Sequence, residues 1–283
     1  MEVTSIAEKL LFVTVRIDTV NKKGENGSGT GFIFLHKYKD VQALSIVTNK
    51  HVVKDAVQGG ITFIKKKDDK PTLGDSFRLQ FNDFEKLWRG NDDPNIDVTV
   101  TPLIPLLEQL KNKFNVDVYY HHLSSENIPN EEQVKQIDAI ENITFIGYPN
   151  GIWDRKNHTP ILRQGTTATH YAVDFENEKK FLIDASVFGG SSGSPVLLYN
   201  SGAYTNKGGG LMGGTRLFFL GIVAAVFFRN SVNEIISVPI PTNHKNISVG
   251  QEMIDLGIVF KASTIVETIE SAIEKEFLTK ENN

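Results

Sequence analysis

The spacing of the apolar residues limits this chain's choice of fold more than anything else in it. They fall into short runs cut by turn residues: "LLFVTVRI" from residue 10, "GFIFLH" from 31, "ALSIVTN" from 43, "GITFIKK" from 60, "FRLQF" from 77 and "DVTVTPL" from 97. After a more polar stretch the pattern resumes with "ITFIGY" from 143, "FLIDASV" from 181, "SPVLLY" from 194, "RLFFLGIVAAVFF" from 216, "EIISVPI" from 234 and "LGIVFKA" from 256. Many short strands punctuated by Gly, Asn and Asp predict an all-β sandwich or barrel, not alternating βα units. Helical spacing is confined to 103–115, to 131–137 behind Pro129-Asn130, and to 263–278. In the last of these Ile265, Ile269, Ile273 and Phe277 recur every fourth residue, which predicts an amphipathic helix docked on the body.

The expected organisation follows from where the pattern pauses. A first β unit spans 1–102, a helical insert or connector 103–138, a second β unit 139–261 and a C-terminal helix 262–283. "KKKDDKP" (65–71) reads as a charged hairpin tip and "GAYTNKGGGLMGG" (202–214) as a loop.

Composition removes several function classes. The net charge of −4 gives no global basic field, so neither nucleic acid nor an anionic membrane is expected as a partner. There are no cysteines, hence no disulfide framework and no thiolate metal site. The first twenty residues carry Glu2, Glu8, Lys9, Arg16 and Asp18 and do not read as an export signal. No apolar run is long enough to span a bilayer. Together these features predict a microbial, cytoplasmic setting.

One stretch stands out chemically. In "VFGGSSGSPVLL" (187–198) the residues from Gly189 to Ser194 are only glycine or serine, between two apolar flanks. A serine hydroxyl is a weak nucleophile near neutral pH and needs a neighbouring base, for which imidazole is suited. The imidazole in turn needs a carboxylate to fix its tautomer and stabilise its charged form. "SIVTNKHVV" supplies His51 just after a strand, at the start of a helical turn, and "PNIDVTV" supplies Asp97 at the start of another strand. Other sites read less well. Ser192 fails as a nucleophile elbow because Ser194 stands where that motif needs glycine. "GENGSGTGF" lacks the GxGxxG spacing of a phosphate loop and leads into a strand. His121-His122 has no metal-ligand spacing, and His36, His158, His170 and His244 have no evident partners. No metal or cofactor is expected.

The order His51, Asp97, Ser is that of the chymotrypsin-type triad and differs from the subtilisin and α/β-hydrolase orders. With it in place, the chain resembles a chymotrypsin-fold (trypsin-like) serine peptidase, closest to the bacterial HtrA-type branch, over roughly residues 10–245. "GSGTGFIF" and "IVTNKHVV" resemble that branch's entry strand and histidine segment, "FIGYPNG" its second-barrel opening, and "DASVFGGSSGSPV" its nucleophile loop. "GIVAAV" and "VPIPTN" resemble its substrate strand and the closing strand behind it. The resemblance implies two six-stranded antiparallel β-barrels, here with a helical insert and a C-terminal helix. That branch usually carries a PDZ domain after the protease, but only about 40 residues follow "IPTN", fewer than most domains need, so none is expected. The resemblance implies Ser192 as nucleophile, with the backbone N–H groups of Gly190 and Ser192 as oxyanion hole. Ser191 and Ser194 are then structural. It also implies a shallow, neutral pocket with Ser186 at its base, Val226 narrowing its mouth and Ser237 on its closing strand, and hence cleavage after small residues. Ala224 falls where a serine often supports the buried aspartate, so Asp97 must draw on backbone N–H groups near His51.

The function expected is an endopeptidase that cuts a polypeptide substrate through an acyl-enzyme. A regulated effector role in a bacterial stress or defence system is compatible with it, with 103–138 and 202–214 as surfaces for a protein regulator. Two readings compete: a binding or scaffold protein on the same fold with vestigial hydrolysis, since fold does not fix function, and an esterase on the same triad.

Overall fold

The computed structural model describes residues 1–235 and 246–281. Its first β unit contains β1 (Thr14–Asn21), β2 (Asn26–Tyr38), β3 (Val41–Thr48), β4 (Ala56–Lys67), β5 (Lys70–Asn82), β6 (Arg89–Gly90) and β7 (Thr99–Pro102). These run in the spatial order β5-β4-β1-β2-β3-β7-β6, and β8 (Leu123–Ser124) joins β2 in parallel. Alternating inward residues from β1 to β5, Val15, Ile17, Ile33, Ile46, Ile61, Phe63 and Leu79, fill one buried cluster, so the sheet wraps around a core. The charged tip expected at 65–71 is there: Asp68 and Asp69, at φ 50° and 57°, turn β4 into β5 with the left-handed pair that suits a two-residue hairpin.

The second unit is a closed six-stranded barrel, β10-β11-β16-β15-β12-β9. Its strands are β9 (Asn142–Gly147), β10 (Ile161–Thr167), β11 (Lys180–Asp184), β12 (Pro195–Asn200), β15 (Arg216–Ile235) and β16 (Asn246–Lys261). Between β12 and β15 the segment expected as a loop folds into a small hairpin of β13 (Ala203–Thr205) and β14 (Leu211–Gly213). The glycines that suggested a loop are accommodated because every side chain of β14 is exposed and no packing is lost. The mainly β architecture is that of the chymotrypsin-like two-barrel plan. One detail differs: the first unit is an eight-stranded sheet whose end strands, β5 and β6, share no ladder, not a second closed six-stranded ring.

Helices are short and serve the sheets. α1 (Ile6–Leu10) opens on a capping box between Ser5 and Glu8. α2 (Lys50–Val53) is a single turn after β3. α3 (Ile104–Phe114) buries Leu106 and Leu110, one turn apart, in the core of the first unit, so this part of the connector belongs to that unit's packing. α4 (Glu131–Gln136) starts from the Asn130 cap. α5 (Ala262–Glu281) buries Ile265 and Ile269 and packs Ile273 against them, while Phe277, expected on the same face, is 44% exposed. The face that α5 covers is a separate cluster fed by both units: Phe32, Phe34, Val98 and Val100 from the first, Leu197, Phe219, Ile222 and Ala224 from the second. It is the seam between them.

Candidate active site

His51 lies on α2, one residue into the turn that follows β3. Asn49, which begins that turn, does not cap it; its side-chain amide donates instead to the Asp97 carbonyl oxygen at 2.7 Å. Asp97 precedes the buried Val98, whose side chain anchors this stretch in the seam. Its carboxylate makes two contacts with one residue. Oδ2 lies 2.5 Å from His51 Nδ1, and Oδ1 accepts the His51 backbone N–H at 3.0 Å. Because a carboxylate can only accept, Nδ1 carries the proton and Nε2 is left as the basic nitrogen. The His51 side chain is 47% exposed and that of Asp97 27%, and a cleft of ≈ 520 Å³ with Lys50, Glu85 and Trp88 in its wall opens beside the pair. Desolvation pulls the Lys50 ammonium below the usual lysine range, opposed by Asp97, Asp93 and Asp92.

The Gly/Ser stretch joins β11 to β12, and most of its carbonyls and half of its N–H groups are engaged. The Ser191 N–H donates to Phe188 O, Gly193 N–H to Val223 O and Ser194 N–H to Ser191 O, at 2.9–3.0 Å. The Gly189 carbonyl accepts the Asn150 N–H, and the Ser192 carbonyl accepts the Thr30 N–H at 2.9 Å. The N–H groups of Gly190 and Ser192 are the two from 190 to 194 that take no partner among the described residues. Gly190 holds φ +78°, a left-handed conformation in which a Cβ would also press on the Tyr148 carbonyl.

The three serines differ sharply. Ser192 is partly exposed, and its Oγ makes a long contact of 3.5 Å with the Ala224 carbonyl; no hydrogen bond among the described residues joins it to His51. Ser191 and Ser194 are each 1% exposed. Ser191 Oγ is buried without a partner, and Ser194 Oγ reaches Thr30 Oγ1 at 3.4 Å. Thr48 Oγ1 donates to the Thr30 carbonyl at 2.7 Å, so the backbone around Ser192 rests, through Thr30, on the end of the strand that leads to His51.

Of the expected pocket residues, Ser186 is exposed and Val226 half-buried, while Ala224 packs its methyl into the seam and turns its carbonyl toward Ser192. Ser237 and the "VPIPTN" segment lie outside the described residues. The strand that pairs behind "GIVAAV" is β16: Val226 faces Gly257, and Ala225 faces Ile258. His121 is engaged by the Tyr119 hydroxyl at 3.0 Å, and burial pushes its imidazole below the usual range. Sequence reasoning missed Asn49 and Thr30. The first could have been found as an Asn directly before the histidine turn; the second had no signal beyond a Thr in a glycine-rich run.

Two β units meeting along an apolar seam, with an imidazole–carboxylate pair on one and a serine flanked by free N–H groups on the other, define the class of chymotrypsin-fold peptidases. Residues 29–203 match the model of the trypsin-like peptidase domain, more than half of the chain, and the protein belongs to that family. No curated protein sequence matches it. Among solved structures it is similar to the Rv3671c protease from M. tuberculosis in its active form (16% identity, TM-score 0.45, covering 94% of this chain and 82% of that one). It is also similar to the scabies mite inactivated protease paralogue S-I1 (15%, 0.46, 97% and 100%) and to the tobacco vein mottling virus protease (12%, 0.42, 87% and 80%). No helix among the described residues is long and apolar enough to cross a membrane.

Proposed function

We propose that the protein is a serine endopeptidase, in which His51 is general base, Asp97 its orienter and Ser192 the nucleophile. The observation that carries the reading is the double contact of Asp97 with His51, ring and backbone together, which fixes the imidazole with Nε2 basic. In turnover Ser192 Oγ attacks the scissile carbonyl carbon while its proton passes to His51 Nε2. The C–N bond then breaks, the leaving amine takes that proton, and water hydrolyses the acyl-enzyme by the same route. The oxyanion of each tetrahedral intermediate is held by the N–H groups of Gly190 and Ser192, which are left free while those of Ser191, Gly193 and Ser194 are engaged. The long Ser192–Ala224 contact is the resting arrangement, since catalytic hydrogen bonds often tighten only when substrate binds.

A preference for small residues before the cut is supported by the neutral Ser186 and the branched Val226. An arginine or lysine there would find no counter-charge from Ser186. A second reading, a protease-fold binding protein with vestigial hydrolysis, is favoured by one observation: Ser192 Oγ meets Ala224 and not His51. Labelling with a fluorophosphonate decides between them. Covalent modification that is lost in Ser192→Ala, with unchanged circular dichroism, supports the peptidase; an unlabelled wild-type protein supports the binding protein. A peptide library then reads the preference, and dominance of Arg, Lys, Phe or Tyr before the cut refutes the shallow pocket.

A further inference from the structure

Thr30 lies on β2 of the first unit, 0% exposed, yet most of its polar contacts are to the second. Its N–H donates to the Ser192 carbonyl at 2.9 Å. Its hydroxyl donates to the Gly190 carbonyl at 3.0 Å and accepts the Tyr148 N–H at 3.0 Å. Ser194 Oγ approaches the same oxygen at 3.4 Å. The hydroxyl's one proton and both lone pairs are therefore used. Gly147 lies against this knot, and a Cβ there would overlap both Ser194 Oγ and Thr30 Oγ1.

A peptide unit is planar, so a carbonyl that is held also fixes the direction of the N–H across the same bond. The Gly189 carbonyl is tied to Asn150, which aims the Gly190 N–H the other way. Gly190 itself has no side chain to restrict it, and the next peptide is tied by Thr30 through the Gly190 carbonyl. Thr30 also ties the peptide that follows Ser192. Thr30 thus holds the two peptides on either side of the one that carries the Ser192 N–H, and the first of them adjoins, across the Gly190 Cα, the one that carries the Gly190 N–H.

We propose that Thr30 is a positioning residue of the oxyanion hole, acting through its hydroxyl on Gly190 and its N–H on Ser192 so that the nucleophile loop of the second unit is set by the first. The inference rests on the peptidase reading above. It explains why the loop tolerates Ser194, whose hydroxyl joins the same knot.

The test compares Thr30→Val, which keeps the shape and removes the hydroxyl, with Thr30→Ser, which keeps the hydroxyl. Hydrogen–deuterium exchange of the segment 187–195 should quicken in Thr30→Val and stay near wild type in Thr30→Ser. This readout does not depend on activity. On a peptide substrate, kcat of Thr30→Val should fall about 10- to 100-fold, within the range seen when oxyanion stabilisation is impaired, with KM within about twofold. Thr30→Ser should recover most of it. Unchanged exchange in Thr30→Val, or a Thr30→Ser variant as impaired as Thr30→Val, overturns the proposal. Failure of the peptidase reading shows differently: Ser192→Ala would be as active as wild type, or the wild type would neither be labelled nor turn over peptide. If Thr30→Val does not fold, Thr30→Ser carries the decision through its exchange and kcat.

Discussion

Asp97→Asn is the sharpest probe of the site because the amide that replaces the carboxylate has only one acceptor. In the native protein both carboxylate oxygens are used, one by the His51 backbone N–H at 3.0 Å and one by Nδ1 at 2.5 Å. The backbone N–H is an obligatory donor and cannot be turned round. The asparagine oxygen must therefore face it, which leaves the NH₂ group pointing at Nδ1. Nδ1 then has to accept, the ring proton moves to Nε2, and the imidazole can no longer take the Ser192 proton. The opposite amide orientation would satisfy Nδ1 but set NH₂ against N–H, leaving two donors face to face. The expected loss in kcat is of the order of 10⁴ for the wrong tautomer, or ~5 kcal/mol of transition-state stabilisation. Side-chain shape is conserved, so the fold should be kept. The assay is kcat on a fluorogenic peptide, alongside the rate of fluorophosphonate labelling of Ser192 and circular dichroism. A variant within tenfold of wild type, while Ser192→Ala is inert, would refute Asp97 as the orienter.

Three further outcomes are expected. Ser191→Ala should keep labelling and raise the denaturation midpoint, because it removes a buried hydroxyl that lacks a partner, a group whose burial costs ~1–3 kcal/mol; a lower midpoint refutes this. Arg216→Ala should lower stability by ~3–5 kcal/mol in a denaturant titration. Its guanidinium is 6% exposed and forked on Glu141 at 2.7 and 3.1 Å, so its loss leaves a buried carboxylate unpaired. Val226→Gly should widen acceptance before the cut toward larger side chains, read by a peptide library, with discrimination changing by ~1–3 kcal/mol per methylene.

The sequence yields the strand-rich plan, the amphipathic C-terminal helix and the positions of His51 and Asp97, because each is a local matter: periodicity, a turn, a residue at a strand end. What it hides is register. "EIISVPI" and "LGIVFKA" both read as strands, and nothing in an apolar run says which of them returns beside "GIVAAV". In the structure β15 continues to Ile235, and Val226 pairs with Gly257 across a long hairpin. Strand register is set by pairing over the whole ladder, and periodicity of one run cannot supply it. Thr30 was hidden for a related reason. Its partner Gly190 is 160 positions away, and in "GSGTGF" it looks like part of a turn.

The same non-locality bears on how the site is held. His51 and Asp97 belong to the first unit and Ser192 to the second, so their mutual placement is a property of the seam and not of either sheet alone. That seam is apolar in its middle, where Phe32 and Phe34 meet Phe219 with ring centroids 5.3 and 5.5 Å apart, and polar at Ser192, where Thr30 and Thr48 carry the hydrogen bonds. Apolar contact sets how closely two surfaces approach but tolerates sliding, since it has no direction. Hydrogen bonds to planar peptides do have direction, and they stand where a small slide would turn the Gly190 and Ser192 N–H groups away. α5 closes the seam with Ile265 and Ile269, and His36 on β2 meets Glu270 on its exposed side at 3.0 Å. Placement by packing and orientation by hydrogen bonds are thus divided between different residues of one interface, with Thr30 at the point where the second takes over from the first.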